Sequence, residues 1–439
     1  MRFWRAGLIF AALFLMVGAA QVETVFPIKV SQDQRYFEDA QGRPFLVNGD
    51  TAWSLIGELN RDDAKTYLED RSKRGFNAIL VNLIEHQFSS NPPANAYGDK
   101  PFKSESFGTL NPNYFDHAAW VIEQAQKQGL VVFLAPAYLG VNGGDQGWFA
   151  QAQAAGPDKM KAYGEAIARR FANFPNIVWI LGGDFDAPDR ALVSELAQGI
   201  ASVSPAALQT VHSGRDTNTV EIWGDHSWLS LDTVYTYDDV HKAILARSKA
   251  AKMPVILLEG AYEYERETTA RITRRNAYGA ILGGAAGQFF GNNPIWYFSG
   301  PGVFTSDQNW REALNSPGAK SMTIMKAFFD KLPWPQLQPD RDHSIAAAEG
   351  VYAAALPDQS LLVIYGNAGE FRIKTSSLND NQKAFWVDPA SGQFLPANDP
   401  KIDGDASIYQ APPDRKNVYQ SDWILLIGSS EQLKLIQKA

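Results

Sequence analysis

The sequence predicts an α/β protein: a (β/α)8 TIM barrel followed by a small antiparallel β-sandwich domain. Three observations carry the prediction. Strand-like apolar runs alternate with helix-like segments between about residues 45 and 332. Two of these runs, NIVWILGGD at Asn176–Asp184 and PVILLEGAYE at Pro254–Glu263, are unbroken apolar stretches that lead into glycine and an acid. Strands buried on both faces of a parallel sheet read this way, and the acid then stands at the sheet's C-terminal rim. Beyond the proline-rich stretch Leu332–Pro339, short β-like runs replace the alternation, separated by Asp, Asn, Gly and Pro turns.

The elements follow in order. Ile28–Phe37 and the DAQG turn before Arg43 read as a strand pair. Phe45–Trp53 is the first barrel strand. Asn60 can cap a helix over Arg61–Arg74, with Asp62 and Asp63 in its first turn and Gly75 at its end. Phe76–Ile84 and Leu130–Tyr138 are the second and third strands, separated by a long loop and a helix over Asn113–Gln128. Pro157 opens the next helix, to Phe174. The fourth strand leads to Asp184, and its helix runs over Pro188–Val203. Ala207–Gly214 and Thr233–Asp238 are plausible fifth and sixth strands, with weak helical character over Glu221–Leu231 between them. Helices over Val240–Ala251 and Thr268–Leu282 flank the seventh strand, which carries Glu259. The eighth is the Gly/Ala-rich run Gly284–Asn292, and Pro317–Leu332 is the last helix. A doubly wound open sheet is disfavoured because no G-x-G-x-x-G follows the first strand.

At 439 residues, the chain has room for both domains. A net charge of −8 argues against a phosphate-backbone partner, so no nucleic acid is expected. Aromatic residues make up 12% of the chain, and their faces suit sugar rings as well as cores. There is no cysteine, which excludes disulfides and thiolate metal sites. The six histidines form no i,i+4 pair, and neither a G-x-S-x-G elbow nor a Walker loop is present. No metal and no cofactor are therefore expected. Arg2 and Arg5, an apolar run Ala6–Val17 and Gly18-Ala19-Ala20 describe a secretory signal peptide cut near Ala20. The expected division is a signal peptide over 1–20, a barrel over 21–335 and a sandwich over 340–439. The expected location is periplasmic or secreted, with no membrane attachment after cleavage.

Asp184 and Glu259, delivered by the fourth and seventh strands to one rim, are the candidate catalytic pair. Glycoside hydrolysis needs two carboxyl groups, one donating a proton to the leaving oxygen and the other attacking the anomeric carbon or activating water. Asp186 competes with Asp184, but the glycines before Asp184 bring that residue closest to a pocket. Asp50 and Trp53 end the first strand and Asn82 the second, with His86 just beyond. Tyr138 and Trp148 follow the third strand, His212 the fifth and Tyr237 the sixth. Tyr262 lies beyond Glu259, and Asn292 and Trp296 beyond the eighth strand. Together these form a candidate rim for an oligo- or polysaccharide.

These residues carry a resemblance. GDTAW at Gly49–Trp53, GFN at Gly75–Asn77, NIVWILGGD, LEGAYE at Leu258–Glu263 and AAGQFFGNNPIW at Ala285–Trp296 resemble the apiosidase-like glycoside hydrolases (family 140) over about residues 28 to 335. The C-terminal part is similar to the collagen-binding-type sandwich that often follows that domain. The resemblance implies a retaining glycosidase with Asp184 as acid/base and Glu259 as nucleophile, and an activity on apiosyl linkages in plant pectin. The rival reading is a non-catalytic carbohydrate-binding protein that uses the barrel pocket or the sandwich. It requires carboxylates too far apart to cooperate.

Overall fold

The structure is a computed structural model, and it describes residues 25–438 apart from 347, 349, 368 and 414–420. The expected signal peptide lies outside the described residues. Among the described residues, no helix is long and apolar enough to cross a membrane.

Eight parallel strands form the barrel: β1 (Val47–Thr51), β2 (Ala78–Asn82), β3 (Val131–Ala135), β4 (Ile177–Gly182), β5 (Gln209–His212), β6 (Asp232–Tyr235), β7 (Val255–Glu259) and β8 (Gly287–Phe290). Each strand pairs with its sequence neighbour except across β5–β6, and β8 pairs back onto β1, so the ladder runs from β5 through β1 to β8, β7 and β6. The seam between β5 and β6 is closed largely by side chains. The Thr210 hydroxyl donates to the Leu231 carbonyl at 2.7 Å, the Thr233 hydroxyl to the Val211 carbonyl at 2.5 Å, and the Ser230 N–H to the Gln209 carbonyl at 2.8 Å.

Successive side chains on a strand point to opposite faces, and here both faces are buried. On β3, Val131, Phe133 and Ala135 fill the barrel interior, while Val132 and Leu134 pack under the helices. This is why the strands read as unbroken apolar runs. The main surrounding helices are α1 (Arg61–Lys73), α2 (Pro112–Lys127), α3 (Pro157–Phe171), α4 (Ala191–Val203), α5 (Val240–Ser248), α6 (Ala270–Leu282) and α7 (Pro317–Phe329). Asn60 caps α1 by accepting the Asp63 N–H at 3.0 Å. Short helices at Leu55–Glu58 and Phe149–Ala155 were not expected from the sequence. The segment read as weakly helical over Glu221–Leu231 is a single turn, Thr219–Trp223, capped by Asn218. Before the barrel, Lys29–Val30, Phe37–Glu38 and Pro44–Phe45 form a three-stranded sheet.

The C-terminal region holds two antiparallel sheets, of six and three strands. In the central strand Leu361–Asn367, Leu362 and Ile364 face the smaller sheet, together with Phe371 and Trp386. Leu361, Val363 and Tyr365 face the other way, into one apolar cluster with Tyr278 of α6 and Phe329 of α7. The larger sheet is therefore buried on both faces, and one of its two cores is shared with the barrel helices. A buried ion pair crosses that shared core. Arg274 of α6 donates to Asp422 through Nε at 2.8 Å and Nη2 at 2.6 Å, and the Tyr365 hydroxyl donates to the same carboxylate at 2.7 Å.

Candidate active site

The site lies at the C-terminal ends of the barrel strands, around a cavity of about 700 Å³. At the end of β4 the backbone turns through three consecutive residues of positive φ: Gly182 (77°), Gly183 (125°) and Asp184 (53°). Gly183 has no room for a side chain, since a Cβ there would stand 2.4 Å from Tyr138 Cδ2. That close approach lets the Tyr138 hydroxyl donate to Asp184 Oδ2 at 2.8 Å. Glu259 is the last residue of β7. The β6–β7 register shifts between Leu257 and Glu259, so an irregularity in the ladder sets the carboxylate's direction.

His212, at the end of β5, lies behind both acids. Its Nε2 is 2.7 Å from Glu259 Oε2, and its Nδ1 is 3.5 Å from Asp184 Oδ1. Nδ1 also faces the Ser213 carbonyl at 3.1 Å. Nε2 therefore faces an acceptor, while Nδ1 meets both acceptors and a donor, the Asp184 backbone N–H at 3.3 Å. Burial opposes a charge on the ring, but Asp184 and Glu259 outweigh it and lift the imidazole's pKa to about 9. Glu259 is itself held above the usual carboxyl range, first by burial and then by the charge of Asp184, with His212 and the Tyr262 hydroxyl acting against the rise. Tyr262 is in turn oriented by the Trp53 indole N–H, which donates to its oxygen at 3.0 Å.

One ligand atom each of Asp184, His212 and Glu259 lie within 4.8 Å of one another. Such a set has the spacing of a metal site; His212 Nε2 faces Glu259 Oε2, and Nδ1 faces the Ser213 carbonyl and the Asp184 N–H. The imidazole of His212 bridges the two carboxylates.

The structure brings Trp53, Asn82, Tyr138, Tyr237, Tyr262 and Trp296 to the cavity wall with Asp184 and Glu259. His212 is buried against the two acids without forming that wall. Five other candidates stand elsewhere. Asp50 alternates to the helix side of β1, where it accepts from the Tyr67 hydroxyl at 2.7 Å and lies 3.6 Å from Arg71 Nε. Burial raises its pKa to about 6. His86 packs edge-on against Trp148, with centroids 4.8 Å apart, and the Trp148 indole points to the Ile84 carbonyl at 3.4 Å. Asn292 is fully buried and donates to Glu263 Oε2 at 2.9 Å. Asp186 accepts from the Gly214 N–H and the Thr217 hydroxyl, both at 2.9 Å, and so holds the loop after β5.

Sequence reasoning missed Tyr235, Arg215, Glu265 and Arg266, all of which line the cavity. For Glu265 and Arg266, the signal was the alternation of aromatic and acidic residues in AYEYER directly past Glu259.

With this geometry in view, the comparisons with known proteins are consistent. No curated protein matches the sequence. Among solved structures, a family 5 glycoside hydrolase from Bacteroides vulgatus superposes with a TM-score of 0.79 at 24% identity, covering 92% of this chain and 94% of that one. A second glycoside hydrolase gives 0.78 at 25% identity, covering 92% and 97%. A family 5 mannosidase from Rhizomucor miehei shares the fold at 0.51 and 13% identity, over 69% of this chain and 97% of that one. Residues 340–428 match a family model named for a collagen-binding domain of a collagenase. Residues 31–336 match the model of the apiosidase-like catalytic domain. The chain belongs to the apiosidase-like family, and it is a glycoside hydrolase.

Proposed function

We propose that the protein is a retaining glycosidase acting outside the cytoplasm on a plant or microbial polysaccharide, with apiosyl linkages the first to test. The observation that carries the reading is that Asp184 and Glu259, 75 positions apart in the chain, present carboxylate oxygens within 4.8 Å of each other at one sugar-sized cavity. Retaining enzymes hold their two carboxyl groups roughly 5 Å apart, whereas inverting enzymes need about 6.5 Å or more to admit water. The separation also disfavours the non-catalytic binding reading. Export is supported by the charged and apolar pattern of the first twenty residues.

In this reading the Glu259 carboxylate attacks the anomeric carbon while Asp184 gives its proton to the departing glycosidic oxygen. The bond to the leaving group breaks as the bond to Glu259 forms. Asp184, now ionised, then takes a proton from water, whose oxygen attacks the same carbon and releases Glu259. His212 and Tyr262 hold Glu259 in its charged, attacking form.

The test is a screen of the purified protein against pectic and bacterial polysaccharides, with released sugar separated by chromatography and its anomeric configuration followed by proton NMR. Release of the same anomer as the substrate is the expected outcome. Release of the opposite anomer would remove the nucleophile role of Glu259.

A further inference from the structure

We propose that Glu265 anchors the sugar being cleaved, accepting one of its hydroxyls through Oε2 while Oε1 is held by Trp296. The inference deepens the glycosidase reading above and rests on it. Glu265 is only 8% exposed, yet it lines the catalytic cavity. Its Oε1 accepts the Trp296 indole N–H at 2.8 Å. Among the described residues, no hydrogen bond reaches Oε2.

Two other buried acids near the barrel rim show what a structural carboxylate looks like here. Glu85 takes three backbone N–H groups on Oε1 and the Ser54 hydroxyl on Oε2. Glu263 takes the Gly318 N–H on Oε1 and the Asn292 amide on Oε2. Both use both oxygens. Glu265 Oε2 is not enclosed by protein; it opens to the cavity, where a sugar hydroxyl can take the place of solvent. The backbone also bears strain to place it: Tyr264, Arg266 and Glu267 around it all have positive φ, at 70°, 44° and 66°. Tyr264 is exposed while Glu265 is buried.

The charged groups that act on Glu265 are Glu259 and Arg266, and its own charge is felt by Tyr237, Tyr262 and Tyr297. Tyr237 and Tyr262 also feel the charge of Glu259, which places Glu265 on the nucleophile's side of the cavity. A neutral hydroxyl suits the position, because an acidic group would add a further negative charge next to Glu259. Burial, followed by the charge of Glu259, lifts the Glu265 carboxyl to about 7, against the pull of Trp296 and Arg266. An ionised carboxylate is the stronger acceptor, so affinity for the sugar falls as pH drops through that value.

The experiment uses pectic oligosaccharides bearing terminal apiosyl groups as the probe. Glu265→Gln keeps the bond from Trp296 but loses the charge. It is expected to raise KM about tenfold, as for loss of one charge-assisted hydrogen bond, with kcat nearly unchanged. It also removes the change in KM around pH 7. Glu265→Ala, checked for folding by its melting temperature, raises KM further. Unchanged KM and an unchanged pH profile in both variants would overturn the proposal. If the wild type does not hydrolyse the probe, calorimetry compares Glu259→Gln with the double variant Glu259→Gln/Glu265→Ala. Weaker binding by the double variant upholds the role of Glu265 while removing the hydrolytic reading for this sugar. Equal binding, or none by either protein, overturns the proposal.

Discussion

His212 Nε2 lies 2.7 Å from Glu259 Oε2, deep in the barrel, while the other nitrogen of the same ring stands 3.5 Å from Asp184 Oδ1. One imidazole thus couples the two acids, and the charge of the site is set by where protons rest among three groups. Four predictions follow from this placement and from the packing that holds it.

In the proposed mechanism, Asp184→Asn and Glu259→Gln each remove a group that changes charge during the reaction. Each is expected to lower kcat by about 10³-fold or more with the melting temperature little changed. Azide should restore turnover to Glu259→Ala and give a glycosyl azide of inverted configuration, because a small anion then occupies the nucleophile's side. Near wild-type rates in the two isosteric variants would end the assignment.

His212 should set the alkaline limit of activity. Its folded pKa, about 9, is raised above the ordinary value near 6.5. Its charge therefore contributes stability in full below about pH 6.5, and that contribution is lost as pH rises through about 9. The kcat/KM profile of the wild type should fall on the same alkaline limb, and His212→Asn should lack that limb while losing about 10²-fold in rate through misplaced carboxylates. A limb that persists in the variant would assign it to another group.

Gly183→Ala tests the turn that delivers Asp184. The new Cβ would meet Tyr138 at 2.4 Å on a backbone of φ 125°. Displacing Tyr138 moves the carboxylate it holds, and a loss of about 10²-fold in kcat/KM is expected. Tyr138→Phe removes the hydrogen bond without the crowding and should cost less. Equal rates for Gly183→Ala and wild type would show that the turn tolerates the methyl group.

The Arg274–Asp422 pair tests whether the barrel and the C-terminal sheet are stabilised together. Asp422→Ala leaves Arg274 uncompensated in a shared core and should cost about 3–5 kcal/mol. Denaturant titration should show one transition moving to lower concentration. A separate transition for the C-terminal region, with the barrel unaffected, would show that the shared core couples them weakly.

Much of this was legible in the chain. The β4 and β7 runs stood out because a strand buried on both faces leaves no polar alternation, and their terminal acids mark the rim. The weaker strands β5 and β6 were also located, although their pairing uses threonine hydroxyls that no periodicity reveals. The rim candidates divided according to side-chain direction. Asp50 was read as a possible sugar ligand because it ends a strand. Yet one step of alternation turns it toward Arg71 and Tyr67, and local sequence does not report on which side of a strand end the helix lies. Glu265 was passed over because it lies in a loop, and its inward turn depends on left-handed backbone at three residues around it.

The sequence by itself determined the order of strands and helices, the change of architecture near Leu332–Pro339 and the placement of two acids at or just past strand ends, since these follow from apolar period and turn chemistry along the chain. Only the tertiary structure decided which polar groups meet. The meeting of Glu259 with His212, the shared core beneath Arg274 and Asp422, and the exile of Asp50 from the cavity each depend on residues tens to hundreds of positions apart. Their approach is settled by barrel closure and side-chain direction, which have no signature in any local window.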